Sequence, residues 1–97
     1  MPHYITLFRY TQKGIESIKQ GPTRLDAAKK AIEGAGGKLK GFYLTMGQYD
    51  AVGIVELPND EAGAKLALTT ASQGNLRGET LRAFTEEEYR KLIASLP

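Results

Sequence analysis

A chain of 97 residues can bury about 60 to 65% of the surface its unfolded form exposes, so the core alone contributes modest stability and self-association would add to it. Thirteen Lys and Arg stand against eleven Asp and Glu, with no basic block set apart from an acidic one, which leaves no electrostatic footprint for nucleic acid. With no Cys in the chain, disulfides, thiol nucleophiles and thiolate metal sites are excluded. Met1-Pro2-His3 leads straight into strand-like sequence, without a charged segment and apolar run of the secretory kind. No apolar stretch approaches the roughly 20 residues of a membrane span. The expectation is one cytoplasmic domain over residues 1–97, with neither nucleic acid nor membrane as partner.

His3 to Thr11 reads as a strand, rich in Tyr, Ile, Thr, Leu and Phe and free of Gly and Pro. Gln12 to Gln20 follows with Ile15 and Ile18 three apart, suiting one or two helical turns entered through Gly14. After the Gly21-Pro22 break, Leu25, Ala28, Ile32 and Ala35 mark the apolar stripe of a longer helix, with Pro22 at its first position and Gly36-Gly37 at its end.

Lys38 to Met46 and Tyr49 to Leu57 are predicted strands separated by Gly47-Gln48. Gly at the first place of a two-residue loop is the mark of a type II′ hairpin turn. That turn would set Met46 opposite Tyr49, Thr45 opposite Asp50, Leu44 opposite Ala51, Tyr43 opposite Val52 and Phe42 opposite Gly53. Phe42, Leu44, Met46, Ala51, Gly53 and Val55 would then share one face, and Tyr43, Thr45, Asp50, Val52 and Ile54 the other. Pro58-Asn59-Asp60-Glu61 opens another helix, capped by Asn59 and running to about Gln73, with Ala64, Ala67, Leu68 and Ala71 expected inward. Asn75 to Phe84 is a fourth strand. Thr85-Glu86-Glu87-Glu88 is a capping box for an extra C-terminal helix whose Tyr89, Leu92, Ile93 and Leu96 are expected inward.

An internal echo joins the two halves. Gly37-Lys38-Leu39-Lys40-Gly41-Phe42-Tyr43-Leu44 and Gly74-Asn75-Leu76-Arg77-Gly78-Glu79-Thr80-Leu81 both read Gly-x-Leu-basic-Gly-x-x-Leu. Two like halves in the order βαββαβ predict an α+β, ferredoxin-like fold, a four-stranded antiparallel sheet with the helices on one face. If Phe42, Leu44 and Ile5 face the helices, then Phe8, Tyr10, Tyr43, Val52 and Ile54 form an open face too apolar for water, and a second copy packing sheet on sheet would cover it.

The chain also resembles the GYD domain family, named for a Gly-x-Tyr-Asp turn that here reads Gly47-Gln48-Tyr49-Asp50. The likeness extends through Thr11-Gln12-Lys13-Gly14-Ile15, Pro22-Thr23-Arg24, Ala35-Gly36-Gly37-Lys38 and the run from Gly74 to Phe84. Gln48 stands where that family often has an acid. The resemblance implies the dimeric α/β barrel type of ferredoxin-like fold, and it carries no agreed activity and therefore no catalytic residue.

Candidate chemistry centres on Tyr49-Asp50. The hairpin register puts Asp50 with Thr45 and Tyr43, and the internal echo puts Thr80 and Arg82 at the places of Tyr43 and Thr45. A carboxylate, a guanidinium, two hydroxyls and phenols would then converge on an apolar floor of Phe8, Val52 and Ile54, the usual construction of a small-molecule site. The alternative is structural: Asp50 orders its own hairpin and Arg82 pairs with a carboxylate at a rim. Arg24 adds positive charge where a helix start already favours an anion. His3, the single histidine, lacks the nitrogen partners of a metal site, and no metal or cofactor is implied. Lys40-Gly41-Phe42-Tyr43-Leu44 imitates an RNA-binding strand motif but falls on strand two rather than three.

Three functional readings follow. One is a homo-oligomeric binding or regulatory module, a homodimer or a higher oligomer of dimers, with a small-molecule ligand between sheet and helices or between paired sheets. Another is a cofactor-independent isomerase or monooxygenase acting on a small aromatic or acidic substrate, with Asp50 or Tyr43 moving a proton beside Arg82. The third is a pure scaffold without a pocket.

Overall fold

The computed structural model describes residues 1–97. In chain order the elements are β1 (His3–Tyr10), α1 (Gln12–Glu16), a 3-10 turn (Ile18–Gln20), α2 (Gly21–Gly34), β2 (Lys38–Leu44), β3 (Ala51–Glu56), α3 (Asp60–Ser72), β4 (Leu76–Ala83) and α4 (Glu86–Ala94). The strands form one antiparallel sheet in the order β2-β3-β1-β4, and α2 and α3 lie over the same face of it. This is the ferredoxin-like arrangement that the order of elements predicts.

The helix ends follow from local chemistry. Asn59 accepts a hydrogen bond from the Ala62 N–H at 2.9 Å, and Thr85 and Glu88 form a reciprocal capping box at 3.1 and 2.9 Å. The hydrogen bonds from Thr85 hold the Glu88 carboxyl below its ordinary pKa. Gly36 and Gly74 end α2 and α3 at φ of +86° and +78°, a conformation glycine adopts without a Cβ clash.

Three expectations about faces are corrected. In β1, Tyr4, Thr6, Phe8 and Tyr10 face the helices, so Ile5 and Leu7 belong to the open face and Phe8 and Tyr10 do not. The reason lies in the register: Thr6 pairs with Gly53 and Phe8 with Ala51, so the bulky side of β1 fills the space that two small residues of β3 leave. Gly63 on α3 completes the fit, since a Cβ there would come within 3.1 Å of the Tyr4 ring.

The second correction concerns the hairpin. Leu44 opposite Ala51, Tyr43 opposite Val52 and Phe42 opposite Gly53 hold as expected, but the ladder stops there. Instead of a two-residue turn closed by Met46 and Tyr49, a loop spans positions 45–50, tied by the Thr45 N–H donating to the Asp50 carbonyl at 2.8 Å. Gly47 does take a positive φ of +118°, and Met46 at the tip is exposed.

The third concerns the helices. In α2, Leu25, Ala28 and Ile32 turn inward as the stripe predicts, while Ala35 is exposed. In α3 the buried side is Ala62, Gly63 and Leu66, and Leu68 is exposed. Small residues all round that helix left its phase undetermined by hydrophobicity. At α4 and just after it, Tyr89, Leu92, Ile93 and Leu96 are all exposed rather than inward. The tightly buried core is small: Tyr4, Ile32, Val55 and Leu57, backed by Leu39, Ala62 and Leu66.

Candidate functional site

Asp50 is a structural tie. Its N–H donates to the Phe8 carbonyl at 2.8 Å and its Oδ2 accepts from the Tyr10 N–H at 2.9 Å, so the carboxylate terminates β1 where the sheet ladder runs out. Thr45 Oγ1 donates to the Tyr49 carbonyl at 2.6 Å and closes the same loop. The Tyr49 hydroxyl donates to Glu79 Oε2 at 2.9 Å, and the Arg9 guanidinium sits 4.8 Å above the Tyr49 ring while its Nε donates to the Gln48 carbonyl. The bond to Glu79 raises the Tyr49 phenol pKa, so the phenol stays a donor at neutral pH.

The remaining candidates lie elsewhere. Tyr43 stands on the open face, exposed, beside Val52. Arg82 is at the far end of β4, 3.8 Å from Asp60, stacked on Phe84 and over the Tyr4 ring, whose hydroxyl also donates to Asp60. Burial, and then the hydrogen bond to Asp60, raise the Tyr4 pKa. Thr80 faces the helices and meets the Thr6 hydroxyl at 3.4 Å. The expected convergence of Tyr43, Thr45, Asp50, Thr80 and Arg82 therefore does not form. Two features separate them: β2 and β4 run in opposite directions, which sets Arg82 at the end of the sheet away from Thr45 and Asp50, and a β-bulge interrupts β2 between Leu39 and Gly41. Leu39 and Leu76 both face the helices, as the echo requires, but the extra residue at Lys40 reverses the phase beyond it, so Tyr43 and Thr80 end on opposite faces.

Asp50→Ala would leave the Tyr10 N–H without its acceptor, and urea denaturation should show a loss of about 1 to 3 kcal/mol. Asp50→Asn, which keeps an acceptor oxygen, should lose less. Equal midpoints for wild type and Asp50→Ala would remove the structural role.

A different site takes form between sheet and helices. Because α2 packs over β2 and α3 over β4, the middle of the sheet stays uncovered and a cleft of about 410 Å³ opens there. Its floor is Thr6, Phe8, Ala51, Gly53, Gly78 and Thr80, and Leu25, Ala28, Ala67 and Ala71 line its helical walls. Tyr10, Arg24, Gln73 and Asn75 are its polar groups toward the end of β1. No Asp, Glu, His or Lys lines the cleft, and Arg24 is its single charged residue. The Arg24 side chain is fixed by Ser17, to whose Oγ it donates at 2.6 Å and whose carbonyl it meets at 3.4 Å. Of the residues singled out in the sequence, then, Arg24 and Thr80 border this cleft and the others do not. The residues missed were Thr6, Tyr10 and Asn75. The alternation of β1 was a signal for the first two, once its phase is set by the small residues of β3.

No three His, Cys, Asp or Glu side chains gather closely enough to hold a metal ion, and no helix is long and apolar enough to cross a membrane.

The element order, the glycine-ended helices and the Gly47–Asp50 loop match one family description, the GYD domain, over residues 4–93. The chain belongs to the GYD domain family. Among curated proteins it is similar to the glutamine synthetase and cystathionine beta-lyase binding protein of Thermus thermophilus, at 31% identity over 84 residues, covering 86% of this chain and 88% of that one. Among solved structures it is similar to TTHA0845 from Thermus thermophilus, with a TM-score of 0.56 and 25% identity, covering 88% of this chain and 95% of the other. For a GYD domain the eponymous turn is here a structural element: its Tyr and Asp bond to the protein's own strands rather than to the cleft.

Proposed function

We propose that this GYD domain protein is a binding module, a homo-oligomer working in the cytoplasm as one domain over residues 1–97, that holds a small and mostly apolar molecule in the cleft between sheet and helices. The observation that carries the reading is the lining of that cleft. A volume of about 410 Å³ falls in the range of small-molecule sites, and an apolar wall with a few placed polar groups is their usual build. Proton-transfer chemistry finds less support. Asp50 and Tyr43 do not line the cleft, and the carboxylate that the Tyr4 phenol meets, Asp60, is not among the lining residues either. The Thermus relative is named as a binding protein for two enzymes, which favours a role in which the small molecule regulates attachment to a protein partner.

The open face supports self-association. Ile5, Leu7, Tyr43, Val52, Ile54 and Leu81 form a contiguous apolar band across all four strands, flanked by the Arg9–Tyr49–Glu79 group at one end and His3, Lys40 and Glu56 at the other. Such a band, with the exposed apolar side of α4, suits a second copy better than water.

The cleft is tested with Nile red, a neutral apolar dye whose emission rises on leaving water. Saturable binding is expected, and Ala67→Trp, which fills the cleft from the wall of α3, should reduce affinity about tenfold or more, the equivalent of about 1.4 kcal/mol. Unchanged affinity in a folded Ala67→Trp variant would place the dye elsewhere and remove the reading.

A further inference from the structure

Resting on that reading of the cleft, we infer that its ligand is an amphipathic carboxylate: an apolar body over the sheet and an anionic head at Arg24. Two observations converge on this chemistry.

The first is an uncompensated cation. No carboxylate lies within ion-pairing distance of Arg24, although Asp and Glu engage six other pairs in the protein. The residue is half-buried and borders an apolar cavity free of acidic groups. A guanidinium so placed gives up hydration without an internal counter-ion, a state that an incoming anion relieves.

The second is orientation. Ser17 receives one N–H from each terminal nitrogen of Arg24, and the guanidinium has five donors in all, so donors remain after the side chain has been fixed. A fork held in place by its own protein loses less conformational freedom when it takes up a carboxylate.

The test is calorimetric titration of the full chain with octanol and octanoate, for wild type, Arg24→Gln and Arg24→Lys. Wild type should prefer octanoate to octanol by about tenfold or more, as charge-assisted hydrogen bonds warrant. Arg24→Gln should abolish that preference and keep octanol binding. Arg24→Lys, which retains the charge, should keep part of it. Equal binding of octanol and octanoate, unaltered by Arg24→Gln, would overturn the inference and leave the cleft as an apolar site. Absence of binding by both ligands would overturn the inference and the reading of the cleft together. If Arg24→Gln fails to fold, a reduced carboxylate preference in folded Arg24→Lys supports the fork geometry, and equal wild-type affinities for alcohol and acid still refute it.

Discussion

Gly14→Ala should lower the melting temperature by about 10 °C or more, the fall expected when a domain of this size loses more than about 2 kcal/mol. Gly14 is buried in α1, and a Cβ built on it would sit 2.1 Å from the Asn75 carbonyl oxygen, inside any tolerable contact. The obstacle is main chain, so no rotamer change relieves it. Either α1 withdraws from the start of β4 or the strand does. Both movements strain the Thr11 N–H to Asn75 carbonyl bond of 3.1 Å and the Thr11 hydroxyl to Gly74 carbonyl bond of 2.5 Å, which join the two halves at this end. Overpacking against rigid backbone stands at the costly end of single substitutions. Gly21→Ala is the control: nothing lies within 4 Å of its Cβ and its φ of −51° is helical, so its melting temperature should be unchanged or slightly higher. Comparable losses for the two variants in a thermal melt would show that α1 yields easily and that the close approach has no energetic weight. The same junction borders the Arg24 and Asn75 end of the cleft, so Gly14→Ala should also weaken ligand binding there.

Ile54→Asp should convert an assembly into a monomer of 10.6 kDa in light scattering at micromolar concentration. Ile54 lies on β3, an inner strand, between Ile5 on β1 and Gly41 on β2, at the centre of the open face. A carboxylate set there would be buried without a partner if a second sheet covers the band, at a cost of several kcal/mol, enough to raise a dimer dissociation constant by orders of magnitude. The isolated protomer pays little, because the same position faces water in it. Fold and cleft should therefore survive in the variant, with Nile red binding as the check. A wild-type mass already near 10.6 kDa would sink the prediction and leave the apolar band to some other partner.

Most of the architecture was legible because it rests on local signals. Asn59, Thr85 and Glu88 announce their caps in any context, as a short polar side chain followed by free N–H groups has few better arrangements. Gly36 and Gly74 mark helix ends for an equally local reason, the left-handed backbone that follows them. The order of strands and helices then restricts topology to very few choices. The GYD pattern is of the same kind, a string of loop and cap residues readable without knowing what packs on what.

The functional cluster was not legible, and one residue accounts for much of that. Lys40 is an extra residue in β2 opposite no partner in β3, and a bulge leaves no mark in hydrophobic alternation when both faces of the strand are apolar. The Gly-x-Leu-basic-Gly echo is true of the sequence, yet Tyr43 and Thr80 part company because the bulge shifts one copy and not the other. Likewise Asp50 reads as a free carboxylate until the end of β1 is seen to need an acceptor for the Tyr10 N–H.

The sequence by itself determined the elements, their caps, their order and the family, since each depends on interactions within a few residues. Tertiary structure decided which side of β1 faces the helices, how α3 is turned, and that a cleft with one fixed guanidinium lies between them. Those choices turn on the match of bulk across strands, Phe8 against Ala51 and Thr6 against Gly53, and between sheet and helix, Tyr4 against Gly63 of α3. That match is a property of pairs far apart in the chain, and no single stretch of sequence contains it.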